Sequence, residues 1–269
     1  MEITVLVDNN TYIDQYFYGE PAVCYYIEAG DQHILFDTGY SDIFLKNAEK
    51  LNVDLSGVTH IVLSHGHNDH TGGIRFMCDK IGMTDVKLVA HPHCFLKKYD
   101  GDEYIGAPYT EDDIQRKVSY IPSSEPFQIS SEFIFLGEIP RKNSFEVMEP
   151  IGKQKVSGIW KPDFVKDDSA LVYKNPDGIF IITGCSHSGI CNIIEYAKKV
   201  CQEDRIIGVL GGFHLFEDDE RLKHTIEYLE NCKMQSLYPC HCVSLKAKSK
   251  MMSHLPVEEV GVGMKISLA

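Results

Sequence analysis

Four side chains that can ligate a metal fall within six residues in the segment Ser64-His65-Gly66-His67-Asn68-Asp69-His70-Thr71-Gly72-Gly73. His65 and His67 sit two positions apart, so in extended backbone their imidazoles share one face. The Asp69 carboxylate and the His70 imidazole follow at once, where the chain must turn out of a strand. Crowding imidazoles at a strand end is unfavourable unless a cation holds them. The segment therefore reads as half of a site for one or two divalent cations. Gly72 and Gly73 carry no Cβ and are expected to let the backbone pass close to such an ion.

The other half must come from later in the chain. Three histidines with chemical promise, His187, His214 and His241, each fall just beyond an apolar run. They lie in the segments Thr183-Gly184-Cys185-Ser186-His187-Ser188-Gly189, Gly211-Gly212-Phe213-His214 and Pro239-Cys240-His241-Cys242. Loops at strand ends are where α/β proteins gather functional groups. His187 is open between a ligand and a helix-capping group. His241 is open between a ligand and, with Cys185, Cys240 and Cys242, part of a structural Cys/His zinc site, although the usual Cys-x₂₋₄-Cys spacing is missing. His214 is open between a ligand, a proton donor to a leaving group, a partner of a ligand and a structural role. His91 and His93 repeat the spacing without a following carboxylate and read as loop residues. His33, His60, His224 and His254 have no cluster.

The elements that must position these groups follow from the apolar patterning. Ile3 to Val7 and Ala22 to Ile27 read as strands. A turn at Ala29-Gly30-Asp31 leads into His33 to Phe36, a hairpin signature. A helix with Ser41 as its cap carries Phe44, Leu45, Ala48 and Leu51 at helical spacing. Val58 to Leu63 and Lys87 to Ala90 read as buried strands. In the second half, Ser169 to Tyr173 and Gly178 to Ile182 form a hairpin around Asn175-Pro176-Asp177-Gly178. A helix with Ile190, Ile193, Ile194, Ala197 and Val200 comes next, then a strand at Ile206 to Leu210, then a helix with Leu222, Ile226 and Leu229. Hairpins open each half and strand-to-helix units close it. The expected architecture is one α/β domain over residues 1–269, a four-layer αββα sandwich with its site along one rim. A polar, tyrosine-rich stretch over about 97–165, ending near the single Trp160, interrupts the pattern and is expected near that site.

Composition bounds the function. The chain has 269 residues, 43% hydrophobic and 24% charged, with a net charge of −13 from 39 acidic and 26 basic residues. A nucleic-acid backbone selects the opposite sign. The nearest basic run, Lys246, Lys248 and Lys250, reads as a solvated helix face. No stretch approaches the roughly 18 apolar residues of a membrane span. The N-terminus lacks a basic region and a cleavage site, and the nine cysteines form no secreted framework. A cytoplasmic protein acting on a small molecule is expected, with neither nucleic-acid nor membrane partners and an oligomeric state left open.

Phe36-Asp37-Thr38-Gly39 followed by His65-Gly66-His67-Asn68-Asp69-His70 resembles the metallo-β-lactamase-fold superfamily. Thr183-Gly184-Cys185 and Pro239-Cys240-His241 look like its later motifs, in the right order. Gly184 to Gly189 and Gly211 to His214 look more narrowly like its dihydropterin-ribofuranosyl-aminobenzene-phosphate synthase-like branch. The resemblance implies that His65 and His67 bind a first metal and that Asp69, His70 and His241 bind a second. It also implies an Asp37 that orients the histidine loop through backbone hydrogen bonds. The chain departs from the common pattern twice. No histidine lies between His93 and His187, and Cys185 stands where a bridging aspartate is usual. His187 is expected to supply an imidazole, with Cys185 or Asp168 as a further ligand, and the second ion is left open.

These residues predict a metal-dependent hydrolase that cleaves a small phosphoester or related ester, with Asp69 and His214 in catalytic roles. An imidazole-rich, partly carboxylate set suits zinc, and iron and manganese are compatible. Two alternatives stand beside it. A synthase-type transferase would join a pterin diphosphate to a ribofuranosyl-aminobenzene phosphate and release pyrophosphate, with the tyrosines and Trp160 stacking on the pterin. A non-catalytic or redox metal protein on the same fold is the other, and its redox form is expected to need a flavin domain.

Overall fold

The computed structural model describes residues 1–80, 85–147 and 149–268. These fall into two compact units, one of residues 1–123, 150–163 and 261–269, the other of 124–149 and 164–260.

The first unit is built on a seven-stranded sheet in the order Lys265–Ser267, Glu2–Val7, Cys24–Ala29, Gln32–Phe36, His60–Val62, Lys87–Ala90, Ser119–Pro122. The pairings up to Gln32–Phe36 are antiparallel and those after it parallel. His60–Val62 is buried throughout, as a strand flanked on both sides in a sheet should be. The helix Ile43–Leu51 turns Phe44 and Ala48 into the unit's core, beside Leu6, Leu35, Ile61 and Leu88. Its cap differs from the sequence reading. Asp42 takes the N-cap position, and Ser41 instead donates to Glu20 Oε2 at 2.6 Å. The tyrosine-rich stretch contributes a second sheet to this unit, in the order Ile159–Pro162, Lys153–Val156, Lys98–Asp100, Glu103–Tyr104.

The second unit has a six-stranded sheet in the order Ser236–Pro239, Ile206–Gly211, Gly178–Thr183, Ala170–Asn175, Phe133–Phe135, Phe127–Gln128. Its first three strands are parallel and its last three antiparallel. Gly178–Thr183, with three isoleucines in six residues, is buried at every position. The helix Ile190–Cys201 buries Ile190, Ile193, Ile194 and Ala197, the stripe its spacing predicts. Glu220–Cys232 buries Leu222, Ile226 and Leu229 and is capped by Asp219, which accepts from Leu222 N at 2.9 Å. The lysine run lies on the helix Leu245–Met252, where Lys246 and Lys250 pair at the surface with Glu217 and Asp218. Each unit has its own apolar core, and each places its candidate residues just past the ends of parallel strands.

Candidate metal centre

In the first unit the strand His60–Val62 delivers Leu63, Ser64 and His65, and the short helix Asn68–Thr71 then turns the chain back, with His67 at its N-cap. The His67 imidazole makes no capping bond to the helix. One donor atom each from His65, His67 and Asp69 lie within 4.8 Å of one another, and His65 Nε2 is 3.0 Å from His67 Nδ1. His65 and His70 are fully buried, with ring centroids 4.2 Å apart.

Asp37 holds this arrangement in place. Its Oδ1 accepts from Ser64 N and its Oδ2 from Ser64 Oγ, both at 2.7 Å. Its Oδ2 also lies 2.7 Å from His70 Nδ1. A carboxylate only accepts, so Nδ1 carries the proton and His70 Nε2 keeps its lone pair for a cation. Asp37 thus reaches beyond the backbone bonds expected of it and fixes a ligand's tautomer directly. Burial opposes a charge on His70, but the carboxylates of Asp69 and Asp37 outweigh it and hold its pKa well above the usual histidine value. The same two carboxylates favour positive charge on this ring, whether as a second proton or, in its place at Nε2, as a bound cation.

The glycines serve a different purpose from the one expected. The space left by their missing Cβ atoms is filled by backbone: Tyr40 and Asn68 carbonyls crowd Gly72, and the Thr38 carbonyl crowds Gly73. Gly66 is likewise closed off by the Cys94 carbonyl. These positions let the histidine loop pack against neighbouring loops, rather than against an ion.

In the second unit three turns follow three adjacent strands. Ser186, His214 and His241 all adopt left-handed backbone, at φ of 57°, 50° and 51°. Such strain in non-glycine residues persists only where surroundings enforce it. The enforcement is visible. Ser186 Oγ donates to Gly212 O at 2.6 Å, His214 N to Cys242 Sγ at 3.3 Å, and Gly212 N to Gly184 O at 2.7 Å. Cys185 Sγ lies within 4.8 Å of a ring nitrogen of His187 and, separately, of one of His241. Cys185 and His187 are buried, at 4% and 3% exposure.

Several expectations resolve here. His187 is not a helix cap, since Gly189 holds that position. Cys240 and Cys242 join no donor cluster among the described residues, which removes the structural Cys/His zinc reading. Asp168 joins none either. It is fully buried, its Oδ2 accepts from Ser188 N at 2.8 Å, and burial pushes its pKa up to about 6 against that hydrogen bond. It shapes the His187 turn. His214 also stands outside the donor clusters, its ring 4.7 Å from that of His187 and 4.8 Å from Phe216. Sequence reasoning gave Ser64 no role, read Cys242 only as a zinc-site cysteine, and missed Glu146. Glu146 is buried and accepts from Cys191 N and Asn192 N at the start of the helix that follows His187. No local pattern ties Glu146 to a helix more than forty residues onward.

Comparison with known proteins gives this geometry its context. A solved structure described as a metal-dependent hydrolase of the β-lactamase superfamily superposes with a TM-score of 0.86, at 27% identity, covering 100% of this chain and 99% of its own. An uncharacterized protein of Methanocaldococcus jannaschii is 36% identical over 251 residues, 93% of each chain. A second protein of that organism, named 7,8-dihydropterin-6-methyl-4-(β-D-ribofuranosyl)-aminobenzene-5′-phosphate synthase, is 30% identical over 232 residues, 82% of this chain and 79% of its own. The metallo-β-lactamase superfamily model matches residues 18–198, from before the Asp37 loop into the helix after His187. With its mixed α/β architecture of several sheets, the chain belongs to the metallo-β-lactamase superfamily.

Proposed function

We propose that the protein is a metal-dependent hydrolase of a small phosphoester or related ester. In the first unit the ligands are proposed to be His65, His67, Asp69 and His70, and in the second unit His187 and His241 are proposed as ligands. The observation that carries this reading is the convergence of His65, His67 and Asp69 beside a His70 whose tautomer Asp37 fixes. The 27%-identical hydrolase structure supports it. The donor set suits zinc, one or two ions, with iron or manganese as alternatives. When bound, such a cation lowers the pKa of water to about 7, which makes a nucleophile available at neutral pH.

The chain's own residues supply the rest. The Asp69 side chain is 26% exposed while His70 is fully enclosed, so Asp69 is the carboxylate that reaches an incoming water and substrate. It orients the nucleophile and holds its proton. His214, half-buried against His187 and Phe216, is proposed as the proton donor to the leaving group. The net charge of −13 favours a small molecule over a nucleic acid, and no helix among the described residues is long and apolar enough to cross a membrane. No disulfide forms among the described residues, which fits the proposed cytoplasmic location.

Replacing His67 or Asp69 by alanine should abolish chelator-sensitive turnover of a phosphoester and lactone panel while circular dichroism shows an intact fold. Retained turnover in either variant defeats the assignment. The second reading is a transferase, favoured by the 30%-identical relative named as a synthase. Pyrophosphate release from a pterin diphosphate, dependent on an aminobenzene co-substrate, would select it over hydrolysis.

A further inference from the structure

A cavity of about 300 Å³ opens beside the histidine loop within the first unit, lined by Tyr40, Asn68, Gly72, Arg75, Tyr104 and Pro108. Two of these residues, Asn68 and Gly72, belong to the loop that carries His67, Asp69 and His70. Its walls are built rather than incidental. Asn68 N donates to Ile105 O at 2.8 Å, Asn68 Nδ2 to Tyr104 O at 3.2 Å, and Tyr104 Oη to Ala107 O at 2.7 Å. Gly72 is hemmed in by the Tyr40 and Asn68 carbonyls, which keeps the loop flush against the Tyr40 wall.

The charge of this cavity runs against that of the whole molecule. In a chain with 39 acidic residues, no carboxylate among the described residues lines it, and Arg75 is the single charged group among them. Three of the other four arginines are committed: Arg116 to Asp113, Arg205 to Glu203, and Arg141 to the carbonyls of Phe164 and Val165. Arg75 makes no ion pair among the described residues and stacks at 5.0 Å over Phe76, on the helix Ile74–Lys80 that follows the histidine loop. A guanidinium fork matches a phosphate in two-pronged geometry. The partly exposed rings of Tyr40 and Tyr104, at 43% and 39%, offer apolar faces for the body that carries the phosphate.

We propose that this cavity is the substrate's phosphate subsite, in which Arg75 recognises a phosphate or diphosphate group that the reaction does not attack. Its role as a subsite rests on the hydrolase reading above, but its affinity for phosphate does not. Binding of inorganic pyrophosphate to the full-length, chelator-treated protein, measured by calorimetry, tests it without metal or turnover. Arg75→Gln should weaken binding at least tenfold and Arg75→Lys should fall between. No binding by the parent protein, or equal binding by Arg75→Gln, overturns the proposal. In the metal-loaded enzyme, Arg75→Gln should raise KM for a phosphorylated ester at least tenfold, with kcat and the turnover of a neutral lactone unchanged. An equal loss of kcat on both substrates overturns the subsite assignment. Arg75-dependent pyrophosphate binding in a protein that hydrolyses nothing upholds the site and defeats only the hydrolase reading.

Discussion

Asp37 shows how one carboxylate can organise a site it need not ligate. It is fully buried, at a left-handed φ of 55°, and engages the backbone and hydroxyl of Ser64 together with His70 Nδ1. Asp37→Asn keeps the shape but must turn an N–H₂ toward one of those partners. The His70 tautomer is then no longer dictated. Losses of this kind lower metal affinity about 10–100-fold. Competition with a chromogenic chelator should show a drop of that size, and an unchanged affinity would remove Asp37 from the positioning role. A second residue-scale effect lies in the same sheet. His60 is buried, and burial, with Lys87 across the strand pair, holds its pKa below the ordinary histidine value. The unfolded chain therefore binds a proton at a pH where native His60 stays neutral. Stability rises with pH wherever the unfolded state binds more protons. The contribution is complete above about pH 7 and is lost as pH falls through the ordinary value near 6.5 toward the lowered one. His60→Gln should flatten the dependence of the urea midpoint on pH between about 7.5 and 5.5. A slope as steep as the parent's would assign the effect elsewhere.

Elements, more than residues, decide what could be read from the sequence. The helix Ile190–Cys201 begins at Gly189, at a φ of 91°, with no side-chain cap of its own. Its first N–H groups are instead satisfied by Glu146, whose carboxylate also meets the Asn143 side chain. A carboxylate at this end opposes the positive pole of the helix. Glu146→Ala leaves buried donors without partners and should lower the unfolding free energy by about 1–3 kcal/mol, read from urea denaturation. A smaller change would mean that water or another group takes over. The helix itself was legible, because Ile190, Ile193, Ile194 and Ala197 recur at its own period, and so was the hairpin around Asn175 to Gly178. Its cap was not legible, since the partner comes from a distant loop. The same division holds in the candidate site. The His65 to His70 string declared itself because its donors are contiguous. Asp37 was visible only through a family resemblance, and Cys242 acts through its thiol on backbone groups of other turns. The glycines of the histidine loop were read for the right property and the wrong neighbour, because sequence shows a missing Cβ but not what fills the space.

At the scale of the whole molecule, charge and ligand linkage make separate demands. A net charge of −13 opposes any polyanion, and the strength of RNA binding depends on how many phosphates are neutralised. The lysines of Leu245–Met252, which come closest to a basic stripe, are largely engaged with Glu217 and Asp218. Filter binding with structured RNA should detect no complex even near 50 mM salt. A salt-sensitive complex would instead point to a nucleic-acid substrate. Cation binding works in the other direction, because the donors gathered around His65 exist as a set only in the folded chain. A ligand that binds the native state alone stabilises it by about 2.7 kcal/mol at a concentration one hundred times its Kd. For a chain of this size that corresponds to a rise in Tm of roughly 5–10 °C. Zinc added back to chelator-treated protein should produce such a rise, and His67→Ala should shrink it while leaving the Tm of the chelated form within a few degrees. The comparison needs no substrate, so it bears on the metal alone. A Tm indifferent to zinc in the parent protein would leave these buried imidazoles without the cation that their arrangement demands.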